Sequence, residues 1–189
     1  MEQRQGDWIE TFMGVKFFPL DPRPEEVILQ DIAHALSHIC RYTGHCSVFY
    51  SVAQHSLAIM KELKKLNYSP RIQLIGLLHD ASEAYLCDVP RPLKPFLPGY
   101  KEWENKIMDV IWQAFQIEPP TTWEWGLIKS HDDKMLANEG NILMNNLDGW
   151  TNRLPLGFRN WQLDWDRTPT DVKKEFISSA YELLRQIDS

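Results

Sequence analysis

Apolar positions recur at intervals of three and four residues along most of the chain, the spacing of helices that bury one face. Ser51 precedes one such segment as a favourable N-cap. A further helical segment follows Pro70 and reaches about Tyr85. The predicted helices cover about residues 26–40, 51–66, 70–85, 100–116, 121–147 and 169–187.

Other kinds of segment separate these helices. Residues 8–18 place apolar side chains around a Met13-Gly14 turn, which allows a small β-hairpin. Residues 87–99 contain four prolines and are predicted to form a semi-rigid loop, and a Trp-rich stretch over 148–168 precedes the last helix. The sequence therefore predicts an all-α fold, a compact bundle of five to seven helices with a small N-terminal β-hairpin.

Composition narrows the class of protein. The 189 residues fit one domain, and 43% apolar and 24% charged residues are ordinary values for a globular chain. The three cysteines form no CxxC pair and leave one unpaired, which favours a reducing compartment. No apolar run approaches the roughly 20 residues of a membrane span, and the N-terminus lacks a signal-peptide core. A cytoplasmic protein without membrane contact is predicted.

The charge of the chain indicates which ligands it can bind. The net charge is −6 and no basic run stands out, so binding to duplex nucleic acid is not expected. A small anionic substrate would need local cations or a metal ion to offset the overall negative field.

One histidine lies on an inward-facing helical stripe. Val52, His55 and Ile59 follow one another at the spacing of a buried face. Taken alone, such a histidine is more often a core residue bonded to a backbone carbonyl than a metal ligand.

The next predicted helix ends in a second polar group. Ile72, Gly76 and His79 share a face, and Asp80 is adjacent. Glu83 follows Asp80 by three residues, which brings a third polar side chain into the same region. A buried His-Asp pair is costly unless it is hydrogen-bonded or coordinates a metal, and imidazole with carboxylate suits a divalent transition metal. The alternative is a hydrogen-bonded His-Asp pair with Glu83 exposed.

A carboxylate from a later helix completes the candidate site. Asp132 lies on one stripe with Met135 and Glu139, whereas Asp133 falls on a more exposed face. We therefore choose Asp132 over Asp133, with a solvated helical face as the alternative for either. His131 points elsewhere, and a role near the site or at the surface is expected rather than ligation.

The order His, His-Asp, Asp resembles the HD superfamily of metal-dependent phosphohydrolases. Within it, four segments resemble the subgroup that contains bacterial 5′-deoxynucleotidases and phage-encoded deoxynucleoside triphosphate hydrolases. The similarity covers about residues 8–145 of a single HD-type domain, 1–189, whose C-terminal helical extension, 146–189, matches no motif. The segments are RYTGH (41–45), YSVAQHS (50–56), LLHDASEAYLCDVPRPLK (77–94) and IKSHDDKMLANE (128–139).

The resemblance implies a metal site. His55, His79, Asp80 and Asp132 would bind one divalent transition-metal ion, with Co, Mn, Zn, Fe or Ni suited to these ligands and Mg as a substitute. Glu83 would position or deprotonate the attacking water.

The resemblance also implies substrate contacts. Arg41 would hold the scissile phosphate with its fork of donors, and Lys94 would be a second cation that stabilises charge during catalysis. Tyr42 stands where the family often has Trp, Asp88 resembles an aspartate that contacts the sugar hydroxyl, and His45 is a further phosphate contact. The alternative for Arg41 and Lys94 is a pair of ordinary surface charges, and the alternatives for Asp88 and His45 are a turn residue and a loop histidine.

Together these features predict hydrolysis of phosphate from a small-molecule nucleotide, a deoxynucleoside 5′-mono- to triphosphate or an analogue. The resemblance implies a homodimer. One alternative is a hydrolase of guanosine tetraphosphate alarmones, against which the DVPRPLK segment argues. Others are a degenerate HD module that senses nucleotides without cleaving them and an interaction protein whose eight tryptophans form a partner surface.

Overall fold

The computed structural model describes residues 4–148, 150 and 154–188. Over these residues the protein is mostly helical, and the predicted all-α fold class is confirmed. Among the helices of the described ranges, none is both long and apolar enough to cross a membrane. The helices are α1 (Leu29–His38), α2 (Val52–Lys65), α3 (Pro70–Leu78), α4 (Glu83–Leu86), α5 (Tyr100–Ala114), α6 (Thr122–Leu143) and α7 (Pro169–Ile187).

The predicted N-terminal hairpin is present and short. Strands β1 (Ile9–Glu10) and β2 (Lys16–Phe17) pair antiparallel. Gly14 in the connecting turn has φ +79°, a conformation that glycine adopts without the penalty of a Cβ. Phe17 is fully buried and stacks on the ring of Tyr85, with 3.7 Å between ring centroids. The hairpin is thereby fixed to the helical core.

Helices α2 and α6 both begin at a capping box. The hydroxyl of Ser51 accepts from the backbone N–H of Gln54, whose side chain accepts from the backbone N–H of Ser51. Thr121 and Glu124 form the same reciprocal pair at the start of α6. Each box satisfies backbone donors that a helix start leaves free, so it sets where the helix begins and which residues face inward.

Helix α2 packs against α3, and both α1 and α3 pack against α7. A Cβ at Gly76 would lie 2.5 Å from Cδ1 of Leu63, so the absence of a side chain there permits the close approach of α2 and α3. The C-terminal helix shares this core, because Phe176 is fully buried within it. Burial of each such large side chain contributes about 1.5–3 kcal/mol.

Three predicted helices are shorter than expected. Residues 27 and 28 are extended, so the first helix begins at Leu29, and Met144 is extended after α6 ends at Leu143. The third helix ends at Leu78, not near Tyr85. Beyond it the backbone N–H of Ala81 bonds to the carbonyl of Leu78, three residues back, and this tighter turning breaks the α-helical pattern.

Candidate metal centre

Three of the predicted metal ligands converge at the junction of α2 and α3. His55 lies inside α2, and His79 and Asp80 follow directly after the last residue of α3. Oδ2 of Asp80 is 3.1 Å from Nε2 of His79 and 3.9 Å from Nε2 of His55. One donor atom from each residue lies within 4.8 Å of the other two, a spacing that could hold a single metal ion.

The two imidazoles are oriented by their other ring nitrogens. Nδ1 of His55 is 2.7 Å from Oε1 of Glu139, and Nδ1 of His79 is 2.8 Å from the carbonyl oxygen of Gly76. Both Nε2 atoms are buried without a hydrogen-bond partner. An unsatisfied buried polar atom costs about 1–3 kcal/mol, so two of them beside one carboxylate fit a cation site. Two imidazoles and a carboxylate suit a divalent transition metal and leave positions open for other ligands.

Asp132 lies at the edge of this cluster. Its Oδ1 is 3.2 Å from Nε2 of His55, and its Oδ2 is 3.1 Å from Nη2 of Arg91. Its side chain is 16% exposed, against 33% for Asp133. Asp132 is not among the three residues whose donor atoms lie within 4.8 Å of one another, but of the two aspartates it is the one in contact with His55, and it stays the predicted fourth ligand. His131 lies in the core, where its Nδ1 is 2.8 Å from a backbone carbonyl of its own helix, so it has no surface role.

The charged side chains of the cluster shift one another's pKa values. Burial and Arg41 both lower the pKa of His55, but the carboxylates of Glu139 and Asp132 outweigh them and raise it to about 9. Burial alone would raise the pKa of Asp80, yet His79 holds it below the usual value. The pKa of Asp132 is likewise well below its usual value, because contact with His55 exceeds the effect of burial. The carboxylates therefore favour the charged form of His55, and the imidazoles favour the charged forms of Asp80 and Asp132.

Glu83 is a buried carboxylate at the start of α4. Its Oε1 accepts a hydrogen bond from Nζ of Lys94 at 3.2 Å, and its Oε2 is buried with no partner. Burial raises the pKa of Glu83 well above its usual value, and the carboxylates of Asp80 and Asp88 add to the rise. The free oxygen and the raised proton affinity are suited to binding a water molecule and accepting its proton.

Arg41 and Tyr42 come from the tight turn between α1 and α2. Nη1 of Arg41 is 3.8 Å from Oδ2 of Asp80, and its Nε is 3.2 Å from Oε2 of Glu139. Tyr42 has φ +54°, a left-handed conformation that costs a non-glycine residue about 1–2 kcal/mol. Its hydroxyl donates to Oε2 of Glu139 at 3.4 Å. The turn therefore presents the guanidinium to the candidate metal site.

The other predicted substrate-binding residues, Asp88, Lys94 and His45, differ in their connection to the candidate metal site. Asp88 is partly buried, and burial raises its pKa while the positive charges of Arg41 and Lys94 lower it. The charged groups of the site therefore act on Asp88. Lys94 reaches the site through its bond to Glu83. His45 is exposed, and within the described residues its side chain makes no hydrogen bond or ion pair with this network.

Similarity to known proteins places the chain in a family. It is 39% identical, over 132 residues that make up 70% of each chain, to the uncharacterized protein YfdR of Escherichia coli strain K12. The chain belongs to the YfdR family. It is also 33% identical over 113 residues to an uncharacterized protein of Rhodobacter capsulatus, 57% of this chain and 58% of that protein. No protein-family model matches the chain.

Two residues of this YfdR-family site had no role in the sequence prediction. Glu139 is fully buried, and its Oε1 is bonded to His55 and accepts from the hydroxyl of Tyr50 at 2.9 Å. Its position seven residues after Asp132, on the same helical stripe, could have identified it. Arg91 reaches Asp132 from the proline-rich loop. No periodicity applies to a loop, so no sequence pattern pointed to that contact.

Proposed function

We propose that this protein is a metal-dependent phosphohydrolase that removes phosphate from deoxynucleoside 5′-mono- to triphosphates or close analogues. The observation that carries the proposal is the pair of buried Nε2 atoms, of His55 and His79, that lack hydrogen-bond partners and lie beside Asp80. The resemblance of the motifs to the HD superfamily supports the same conclusion.

The groups around the cluster support hydrolysis rather than metal storage. Lewis-acid polarisation of a phosphate oxygen is the chemistry that a divalent ion supplies in such a site. Glu83 holds a water molecule through its free Oε2 and accepts the proton as that water attacks phosphorus. Arg41 pairs with phosphate oxygens through its fork of donors and stabilises the charge that builds up on them. Lys94 adds a second positive charge beside Glu83.

Asp88 supports a sugar-binding role and hence a nucleotide substrate. It is partly buried at the start of the proline-rich loop, and the charges of Arg41, Asp80 and Lys94 all act on its pKa. A carboxylate here accepts a hydrogen bond from a sugar hydroxyl and disfavours a 2′-hydroxyl by crowding it. A preference for deoxyribose over ribose follows.

The deciding experiment is product analysis on a matched nucleotide panel. Purified protein is incubated with deoxy- and ribonucleoside mono-, di- and triphosphates and with guanosine tetraphosphate, in Mn, Co, Zn or Mg. Chromatography of the products is expected to show phosphate or polyphosphate released from deoxynucleotides, and none with Asp80→Asn. Cleavage of guanosine tetraphosphate alone would favour an alarmone hydrolase. Metal binding without turnover of any compound would favour a nucleotide sensor.

The homodimer implied by the resemblance and the cytoplasmic location remain predictions. Size-exclusion chromatography with light scattering tests the first. Cell fractionation of the native protein tests the second.

A further inference from the structure

Glu139 lies at the centre of the most deeply buried polar network among the described residues around the site. The residue is fully buried in the C-terminal part of α6, four residues before the helix ends at Leu143. Its two oxygens contact an imidazole, a guanidinium and two phenol hydroxyls. A carboxylate is costly to bury unless hydrogen bonds and opposite charge compensate it, and this one has three hydrogen-bonding side chains and an ion pair with a guanidinium. The partners are His55, Arg41, Tyr50 and Tyr42.

The contact with His55 determines which nitrogen of that ring is free. The guanidinium of Arg41 is always charged and lies 3.2 Å from Oε2 of Glu139, so the carboxylate is ionised and can only accept hydrogen bonds. Nδ1 of His55, at 2.7 Å, must therefore donate. In the neutral ring this leaves the lone pair on Nε2, which is the nitrogen nearest Asp80 and Asp132.

The second oxygen of Glu139, Oε2, forms an ion pair with Arg41. The Nε edge of the guanidinium lies against Oε2, so Nη1 is turned toward Asp80, 3.8 Å away. Tyr42, the next residue, donates to the same oxygen. One carboxylate thus holds the backbone turn and the guanidinium in a single arrangement.

We propose that Glu139 is a positioning residue that orients both His55 toward the bound metal and Arg41 toward the substrate phosphate. The proposal rests on the phosphohydrolase function argued above and extends it, because it couples the metal site to the phosphate site through one side chain. Carboxylates that bond the second nitrogen of a ligating histidine fix its tautomer and strengthen its binding to metal.

Two substitutions separate the two roles. Glu139→Gln keeps an oxygen that can accept from His55 but removes the negative charge opposite Arg41. Glu139→Met has similar length and removes both interactions. The matched control is Glu124→Gln, since Glu124 is also buried on α6 and bonded to an arginine, Arg71, but lies at the helix start with no contact to the cluster.

The measurements are titration calorimetry with Mn or Co, nitrogen NMR of the histidine rings, and nucleotide kinetics at saturating metal. We expect Glu139→Met to lower metal affinity about 10–100-fold and to lose the Nδ1-protonated form of His55. Glu139→Gln is expected to affect metal affinity less and to raise KM for the nucleotide. Glu124→Gln should lower the melting temperature and leave metal affinity and KM unchanged.

Three results decide the matter. Unchanged metal affinity and an unchanged His55 tautomer in Glu139→Met would overturn the proposal while leaving the hydrolase function intact. If Glu139→Met does not fold, wild-type KM and metal affinity in Glu139→Gln would overturn it. A wild-type protein that binds metal but cleaves no nucleotide would instead contradict the proposed function, and the calorimetry and NMR would still test the orientation of His55.

Discussion

Asp132 and Asp133 are adjacent in the chain but face different surroundings. Oδ1 of Asp132 lies 3.2 Å from Nε2 of His55, whereas Asp133 is about twice as exposed. Lys129 pairs with both carboxylates, at 3.5 Å for Asp132 and 3.3 Å for Asp133. Both carboxylates bind Arg91, with contacts of 3.1 and 2.9 Å. The two residues therefore share both neighbouring cations, and the contact with His55 is what distinguishes Asp132.

Replacing each aspartate with asparagine tests whether Asp132 is a metal ligand and Asp133 is not. We expect Asp132→Asn to lower metal affinity at least about 10-fold, because it replaces a charged ligand with a neutral one. Asp133→Asn should bind metal as the wild type does, although it loses the same partner, Arg91. Titration calorimetry with Co or Mn measures both. Equal losses in the two variants would mean that Arg91, rather than direct ligation, accounts for the effect.

Removal of a central ligand should abolish metal binding and hydrolysis together. His79→Ala or Asp80→Ala deletes one of the three residues whose donor atoms lie within 4.8 Å of one another. His131→Ala is the control, since that histidine is also buried but packs against Tyr68 in the core. It should lower stability and keep the metal. Elemental analysis of the purified variants checks the result, and metal retained at wild-type content in Asp80→Ala would contradict it.

Glu83 should be separable from the metal site. Glu83→Gln keeps the size of the side chain and can still contact Lys94, but it cannot take a proton from water. We expect metal content to stay at the wild-type level and kcat to fall about 10²-fold or more, the usual contribution of a general base. Steady-state kinetics at saturating metal measure the change. Full turnover in this variant would remove Glu83 from the mechanism.

The sequence predicted the parts of the site that helical periodicity controls. His55 and Asp132 lie on inward stripes of α2 and α6, and Ser51 caps α2 as expected. Periodicity could not show that α3 ends just before His79, because i to i+3 bonds take over there. It also could not find the contact of Arg91 with Asp132, since the loop that carries Arg91 has no repeating geometry.

The partners of Glu139 could not be predicted from the sequence. Helical periodicity places Glu139 on the inward-facing side of α6, but it does not show which residues contact it. Its role depends on Tyr50 and Arg41, which are 89 and 98 residues away in the chain and belong to the segment between α1 and α2. Such long-range contacts depend on how that segment packs on α6, so only the folded structure brings them together.

An ion pair remote from the site predicts how stability depends on pH. Nε and Nη2 of Arg71 donate to the two oxygens of Glu124, at 2.7 and 3.1 Å. This bonding outweighs the opposing effect of burial and lowers the pKa of Glu124 from 4.5 to about 2. Because the folded-state pKa is the lower one, the stabilisation is complete above pH 4.5 and is lost as the pH falls toward 2.

We therefore expect Glu124→Gln to lower the free energy of unfolding by about 1–2 kcal/mol at pH 7. The gap between wild type and variant should narrow as the pH falls below 4.5, because the carboxyl of the unfolded wild type takes up a proton there while that of the folded protein stays ionised to about pH 2. Urea unfolding at pH 7, 4.5 and 3 measures it. Glu102→Gln is the control, as Glu102 is exposed and should change stability little at any of these pH values. A gap between wild type and Glu124→Gln that stays constant down to pH 3 would contradict the ion pair, since a neutral packing effect would not follow the protonation of Glu124.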